Sequence, residues 1–386
     1  MSYQRYIESI EKLKEKDVYR FLRETISCGK RLTYKGIDYL DFSSNDYLGL
    51  SAKIELWNKF VETPGFEKSV FGGGSCSSRL LTGNGISYSK LENLLSGLYK
   101  RDAALVFNSG YHANLGILPA LVSKNDFVLA DKLVHASIID GLQLSKSKIF
   151  RYRHNDMNHL EYFLEKQRKD FDQVFIVTES VFSMDGDTAD LKKLVELKNK
   201  YNLFLYVDEA HAIGVLGEKG LGLCEKENLT DHIDFIIGTF GKAVASQGAF
   251  LVCDSVIRDF LINTTRPLIF TTALPSFSLE WTICSLQHII TMTAEREKLT
   301  LLSRYFREQL ESLELKTIGD SQIVPLILGE NKAVVALSDY LQANHIFVLP
   351  VRPPTVPEGT ARLRFSINAQ MDQDDIDHVI HLLKTR

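Results

Sequence analysis

Residues 203–211 read LFLYVDEAH and residues 233–242 read IDFIIGTFGK, each a short, strongly apolar run that ends in groups able to do chemistry. Runs of this length, rich in β-branched and aromatic residues, suit strands buried on both faces. The pattern recurs at ALVFNSG (104–110), NDFVLAD (125–131) and QVFIVTES (173–180), with helical stretches between. Such alternation, from residue 46 to about 275, predicts a mostly parallel sheet flanked by helices. Ligands of open α/β sheets bind outside the carboxyl ends of the strands. Five clusters close these runs: Asn108 to Tyr111, Asp131 to His135, Glu179 to Ser183, Asp208 to His211 and Thr239 to Lys242. All five are expected to face one crevice.

Outside this core, residues 1 to about 30 read as a charged amphipathic helix, followed by a short strand pair with Gly36 available for its turn. Beyond about residue 280 the pattern becomes a long helix (281 to about 314), the strand IVPLILG, the helix KAVVALSDYLQANH, the segment ARLRFSINA and a last helix. The expected organisation is an N-terminal segment (1–45), a large α/β domain (46–278) and a smaller α+β domain (279–386). The 386 residues are 45% hydrophobic, enough for a large core, and carry a net charge of −4 with acids and bases interleaved. Nucleic acid is therefore not an expected partner. The five cysteines stand singly, without disulfide or metal-ligand spacing, so no metal site is expected. No apolar signal segment or 18-residue apolar run is present, which points to a cytoplasmic protein off the membrane.

Lys242 stands between two apolar runs. Desolvation penalises an ammonium, and a neutral amine attacks carbonyls, so a Schiff base with an aldehyde cofactor follows. Asp208 follows a run of apolar residues, where its charge needs a cationic partner. The protonated ring nitrogen of pyridoxal 5'-phosphate is such a partner. Ser109 and Gly110 sit between a strand and a helix, where exposed backbone N–H groups favour a phosphate. Plainer readings exist for each residue: a snorkelling lysine, a helix-capping Asp208, a His135 satisfied at a helix N-terminus, a core His211. His154 and His159 read as surface or structural. Neither GGGSC nor GEKGLG makes a dinucleotide fingerprint.

The ordered motifs DFSSNDYLGL, NSGYHANLGIL, VHASIIDG, TESVFSMDGD, VDEAHAIGVLG, GTFGKA and GTARLRFSIN resemble those of the α-oxoamine synthases, pyridoxal-phosphate enzymes of fold type I. The resemblance runs from about residue 40 to the C-terminus. It implies that Lys242 holds the cofactor and shuttles the α-proton of an amino acid. Asp208 would pair with the ring nitrogen, His211 and Ser183 with the phenolic oxygen, and His135 would stack on the ring. Ser109, Gly110, Tyr111 and Thr239 would cradle the phosphate or flank the ring, with Thr271 and Thr272 supplied by the partner subunit of a homodimer. Arg364 would grip the amino-acid carboxylate, and Arg362 is expected to point the other way on a true strand. Asn45 and Arg20 would line the acyl-substrate side.

The implied reaction condenses an amino acid with an acyl thioester, on coenzyme A or a carrier protein, with loss of CO2. SRLLTGN, YRHNDMNHLEYFL and GTFGKA together look more like the members of that family that join L-alanine to a pimeloyl thioester in biotin synthesis than like the glycine-using members. Glycine or serine as substrate, or a non-catalytic subunit of the same fold, remain the alternatives. The sequence departs from the family pattern at Cys76 and Ser77, where glycines are frequent, at Tyr88, where histidine is common, and in AVASQG after the lysine.

Overall fold

The charged N-terminal stretch is helical only over Gln4–Glu15, not to about residue 30. Its end is closed by Asp17 in a left-handed conformation (φ 54°). The Asp17 and Val18 N–H groups turn back to the carbonyls of Lys14 and Leu13 at 3.0 Å each. The β-branched pair Thr25-Ile26 then opens a strand, so β1 (Thr25–Cys28), β2 (Arg31–Tyr34) and β3 (Ile37–Asp41) form an antiparallel meander. The computed structural model describes residues 3–62 and 73–386; Gly72 of the GGGSC run lies outside them. The chain divides into two compact units. One comprises Met1–Ala52, Met184–Asp187 and Glu297–Arg386, the other Lys53–Ser183 and Thr188–Arg296.

The large unit is built on seven strands: β4 (Ala103–Phe107), β5 (Phe127–Asp131), β6 (Lys148–Tyr152), β7 (Val174–Glu179), β8 (Phe204–Asp208), β9 (Phe235–Thr239) and β10 (Ala249–Cys253). Their order across the sheet is β4-β10-β9-β8-β7-β5-β6, and only β10 runs against the rest. Residues of β4, β5, β7 and β10 are buried throughout, as an apolar run covered on both faces requires; β6, at the edge, is exposed or half-buried except at Tyr152. Gly238 of β9 lets the Phe250 ring of β10 lie against the backbone, since an added Cβ would meet it at 2.4 Å. The chain leaves β5 for β6 on one side and returns to β7 on the other. That reversal opens a crevice at the carboxyl ends of the strands.

The long helix expected over 281 to about 314 is two helices, Ser276–Ile289 and Thr293–Ser312. The buried Arg296 guanidinium takes the Ile289 carbonyl at 2.6 Å and that of Glu218, which satisfies the end of the first helix without another turn. Among the described residues no helix is long and apolar enough to cross a membrane.

The smaller unit adds β11 (Ile323–Gly329), β12 (Ile346–Phe347), β13 (Pro350–Val351) and β14 (Ala361–Ser366). β14 is the centre of a three-stranded antiparallel sheet, and β12 extends the N-terminal meander beside β3. Phe42, Phe306 and Phe365 meet in its core, with Phe365 edge-on to both other rings. β14 also corrects an expectation. Side chains two apart on a strand share a face, so Arg362 does not point away from Arg364. Different partners separate them: Arg362 is ion-paired to Asp185, whereas Arg364 donates to Ser366 Oγ at 2.6 Å and to Tyr47 Oη at 3.1 Å.

Candidate active site

All five strand-end clusters contribute to one cavity of about 170 Å³ in the large unit. From β4 the chain enters the helix Gly110–Leu121, and Ser109 caps it by accepting the His112 N–H at 3.2 Å. The first N–H groups of any helix lack acceptors within it, and Gly110 and Tyr111 line the cavity at this end. A Cβ on Gly110 would meet Thr239 at an ordinary 3.7 Å, so protein packing does not demand glycine here. The missing side chain leaves room for a ligand instead.

After β9, a closed loop carries the lysine. Phe240 N–H bonds Gly248 O at 2.9 Å, Ser246 N–H bonds Phe240 O at 2.8 Å and Ala245 N–H bonds Lys242 O at 2.9 Å. Thr239 Oγ1 donates to Gly248 O at 3.0 Å. Lys242 Nζ lies 2.8 Å from His211 Nε2, and both line the cavity, so this lysine does not simply reach out to bulk solvent.

From β8, the buried Asp208 accepts from Ala210 N–H at 2.9 Å and from Asn114 Nδ2 at 2.8 Å. From β5, His135 is both a cavity residue and the cap of the helix Ala136–Leu144, its Nδ1 accepting the Ser137 N–H at 3.2 Å. The plain reading of His135 as a helix-terminal residue and the chemical one therefore coexist. Crowding by protein atoms lowers its pKa, and the nearby Lys242 charge adds to this while Asp208 opposes it. Asp131, by contrast, turns away from the chemistry. It is fully buried and accepts from Leu133 N and Asn155 N, with His154 Nδ1 2.9 Å from its Oδ1.

Glu179 is expected at the crevice as the start of its strand-end cluster, but the sequence assigns it no role. It ends β7, in register with Asp208 on β8, and lines the cavity. Its Oε1 is buried without a hydrogen-bond partner. Burial, and then the neighbouring Asp208 charge, push its pKa up to about 8.

The other expected residues lie apart from this lining. Ser183 is buried beyond β7, and Thr272 pairs with Ser78 in an isolated bridge while its carbonyl accepts from Asn108 Nδ2 at 2.8 Å. Thr271 adjoins it, half-buried. In the smaller unit Arg364, Tyr47 and Asn45 form one chain, with Tyr47 Oη donating to Asn45 Oδ1 at 2.9 Å. Tyr47 was not foreseen; it stands two residues after Asn45 in DFSSNDYLGL. Arg20, also in that unit, is exposed and donates to Thr355 Oγ1 at 2.8 Å.

An amine, a buried carboxylate and an imidazole around one cavity, with a glycine-opened helix N-terminus at its end, form a donor set that fits pyridoxal phosphate. The family described as "Aminotransferase class I and II" matches residues 37–383. A Haemophilus influenzae protein named "Putative 8-amino-7-oxononanoate synthase" is 48% identical over 377 residues, covering 97% of this chain and 99% of its own. A solved structure of SPT with PLP internal aldimine superposes with a TM-score of 0.89 at 30% identity, over 99% of this chain and 96% of that one. An 8-amino-7-oxononanoate synthase from Francisella tularensis gives 0.77 at 31% identity, over 90% and 97%.

Proposed function

The chain belongs to the aminotransferase class I and II family, with pyridoxal phosphate as cofactor; from that premise we propose that it joins L-alanine to a pimeloyl thioester. The products are 8-amino-7-oxononanoate, the free thiol and CO2, a step of biotin synthesis. The observation that carries this reading is the near-half identity, over almost the whole of both chains, to a relative named for that reaction.

Pyridoxal phosphate supplies an aldehyde that condenses with amines and a protonated ring that draws electrons from the Cα of a bound amino acid. Lys242 provides the amine that holds it. With the substrate amine in its place, Lys242 would take the proton from alanine Cα and, after CO2 has left, return one to the same carbon. The Asp208 carboxylate would hold the proton of the ring nitrogen, and His211, beside Lys242, would donate to the oxygen of the ring, with Ser183 as a second donor. His135 covers the ring face. Ser109, Gly110, Tyr111 and Thr239 bind the phosphate end, joined by Thr271 and Thr272 from a second copy of the chain in a homodimer. Arg364 would hold the alanine carboxylate and so orient the substrate, and Asn45 and Arg20 would serve the acyl side. Acyl transfer forms the new bond at Cα as the thiolate departs.

A serine-specific reading has one observation in its favour, the higher TM-score of the SPT structure. The test is a product assay in which alanine, glycine and serine are each paired with pimeloyl, acetyl and palmitoyl thioesters. Release of thiol and 14CO2 is expected from carboxyl-labelled alanine with the pimeloyl donor; preference for serine with palmitoyl, or glycine with acetyl, would transfer the chain to a different reaction of the same type.

A further inference from the structure

Asn114 is a polar side chain only 1% exposed, on the helix Gly110–Leu121, and it lines the cavity without a role in the scheme above. Its amide joins three elements. Nδ2 lies 2.8 Å from Asp208 Oδ2 and 3.0 Å from Ser137 Oγ, and Oδ1 accepts from Tyr206 Oη at 2.5 Å. A carboxylate only accepts, so the amide nitrogen must face Asp208, and the oxygen is left for the tyrosine. The orientation of the amide is thus dictated by its neighbours.

The chain of bonds continues. Ser137 Oγ, which accepts from Asn114, is 2.8 Å from His135 Nδ1, and the Ser137 backbone N–H also points at that nitrogen at 3.2 Å. A nitrogen that accepts a backbone N–H carries no proton of its own, so the Ser137 hydroxyl donates to Nδ1 and the ring proton resides on Nε2. Gly141 makes this reach possible. A Cβ there would sit 2.3 Å from the Asn114 carbonyl, so only glycine lets the two helices approach closely enough for Asn114 and Ser137 to meet.

We propose that Asn114 and Ser137 are positioning residues that fix the Asp208 carboxylate and the His135 tautomer together, through one buried relay of hydrogen bonds. Both oxygens of Asp208 are held, one by Asn114 and one by the Ala210 N–H, so the carboxylate cannot rotate away from the position in which it meets a protonated ring nitrogen. At the other end, His135 is kept neutral with its proton on Nε2. A cationic imidazole there would stand against both Lys242 and a protonated ring. The relay rests on the roles assigned above to Asp208 and His135, and its histidine end can be read without turnover.

The experiment compares Asn114→Leu, Ser137→Ala and Ser137→Thr with the parent, each as holoenzyme and after cofactor removal. The imidazole 15N spectrum of histidine-labelled protein reports the tautomer, with His135 assigned by its loss in His135→Gln. Titration with pyridoxal phosphate reports affinity. The parent is expected to show the Nε2–H form, Ser137→Ala a shift toward Nδ1–H or the doubly protonated ring, and Ser137→Thr a return to the parental pattern. Asn114→Leu is expected to disturb the tautomer likewise and to raise the cofactor dissociation constant about ten- to a hundredfold, the loss of a hydrogen bond to a charged group. Parental 15N signals in both Ser137→Ala and Asn114→Leu, or parental cofactor affinity in Asn114→Leu, would overturn the proposal. A parent chain that made no amino ketone while Ser137→Ala still shifted the tautomer would refute the condensation and uphold the relay.

Discussion

Strands β5 and β8 both close on an aspartate, and the two carboxylates have opposite fates. Asp131 ends β5 fully buried and spends its oxygens on Leu133 N, Asn155 N and His154. Asp208 ends β8, is held by Asn114 and Ala210, and still lines the cavity. Between the two strands lies β7, whose terminal Glu179 also reaches the cavity but leaves one oxygen without a partner. A carboxylate at a strand end is thus only a candidate. What decides its use is whether a neighbouring loop folds over it and consumes it, as the loop after β6 that carries His154 and Asn155 does for Asp131.

If the large unit holds pyridoxal phosphate at this cavity, the largest effect is expected at Lys242. Lys242→Ala should lower turnover by at least about 10³-fold, since both the cofactor amine and the proton carrier are lost. The variant should keep the parental melting temperature and still bind pyridoxal phosphate weakly; product formation at the parental rate would remove the lysine from its role.

Next comes the aspartate pair itself. Asp208→Asn should cut kcat by about 10²-fold or more, because a neutral amide no longer holds the proton on the ring nitrogen, while thermal stability changes little. Asp131→Asn should do the reverse. Its amide would turn an N–H toward an N–H that needs an acceptor, at a cost of about 2–3 kcal/mol, with kcat unaffected. Equal effects of the two substitutions on kcat would erase the distinction between the strand ends.

Much of this division was legible in the sequence, and the limits are physical. Short apolar runs rich in β-branched and aromatic residues, alternating with helices, suit a sheet covered on both faces, so the five strand ends and their shared crevice followed. Lys242 and Asp208 followed because a charge in such a run needs a chemical reason. Asn114 was hidden because it lies inside a helix and its partners Tyr206 and Asp208 stand 92 and 94 residues away. Its spacing of one turn from Gly110 was the one local hint. The N-terminal helix was read too long because nothing in Lys16-Asp17 announces a left-handed cap. The break near residue 290 depends on Arg296, which ends a helix through its guanidinium, not through a proline or glycine. Arg362 and Arg364 were set on opposite faces against the period of a strand.

Glu179 makes the strand ends differ in their response to pH as well. Its folded pKa of about 8 lies above the ordinary glutamate value of about 4.3. Between these values the folded chain keeps a proton that the unfolded chain has released, so folding stability is highest below the lower value and is lost as pH rises through the upper one. Glu179→Gln cannot ionise. Denaturant melts of cofactor-free protein should therefore show parent and variant diverging from pH 5 to 8, the variant ahead by on the order of 2 kcal/mol at the upper end. Parallel profiles would mean that Glu179 ionises in the folded chain as readily as in water, and the three strand ends would then differ only in geometry.

The smallest effect concerns shape without chemistry. The loop after β8 turns on left-handed glycines such as Gly214 and Gly217, but the loop after β9, which carries Lys242, turns on Ala245 at φ 51°. Cys76, another departure from the glycines frequent in the family, is left-handed as well (φ 53°). A left-handed non-glycine residue costs about 1–2 kcal/mol, while glycine forfeits about 0.4–1 kcal/mol through the entropy of the unfolded chain. Ala245→Gly should thus stabilise the protein by about 0.5 kcal/mol, measured as a small rise in the denaturation midpoint at constant m-value. Turnover should be unchanged, because the loop is also closed by Trp281 Nε1 donating to the Ala245 carbonyl at 2.8 Å, a bond the substitution keeps. A fall in kcat without a fall in stability would show that the strained turn aims Lys242, which would make the loop after β9 part of the chemistry and not merely its support.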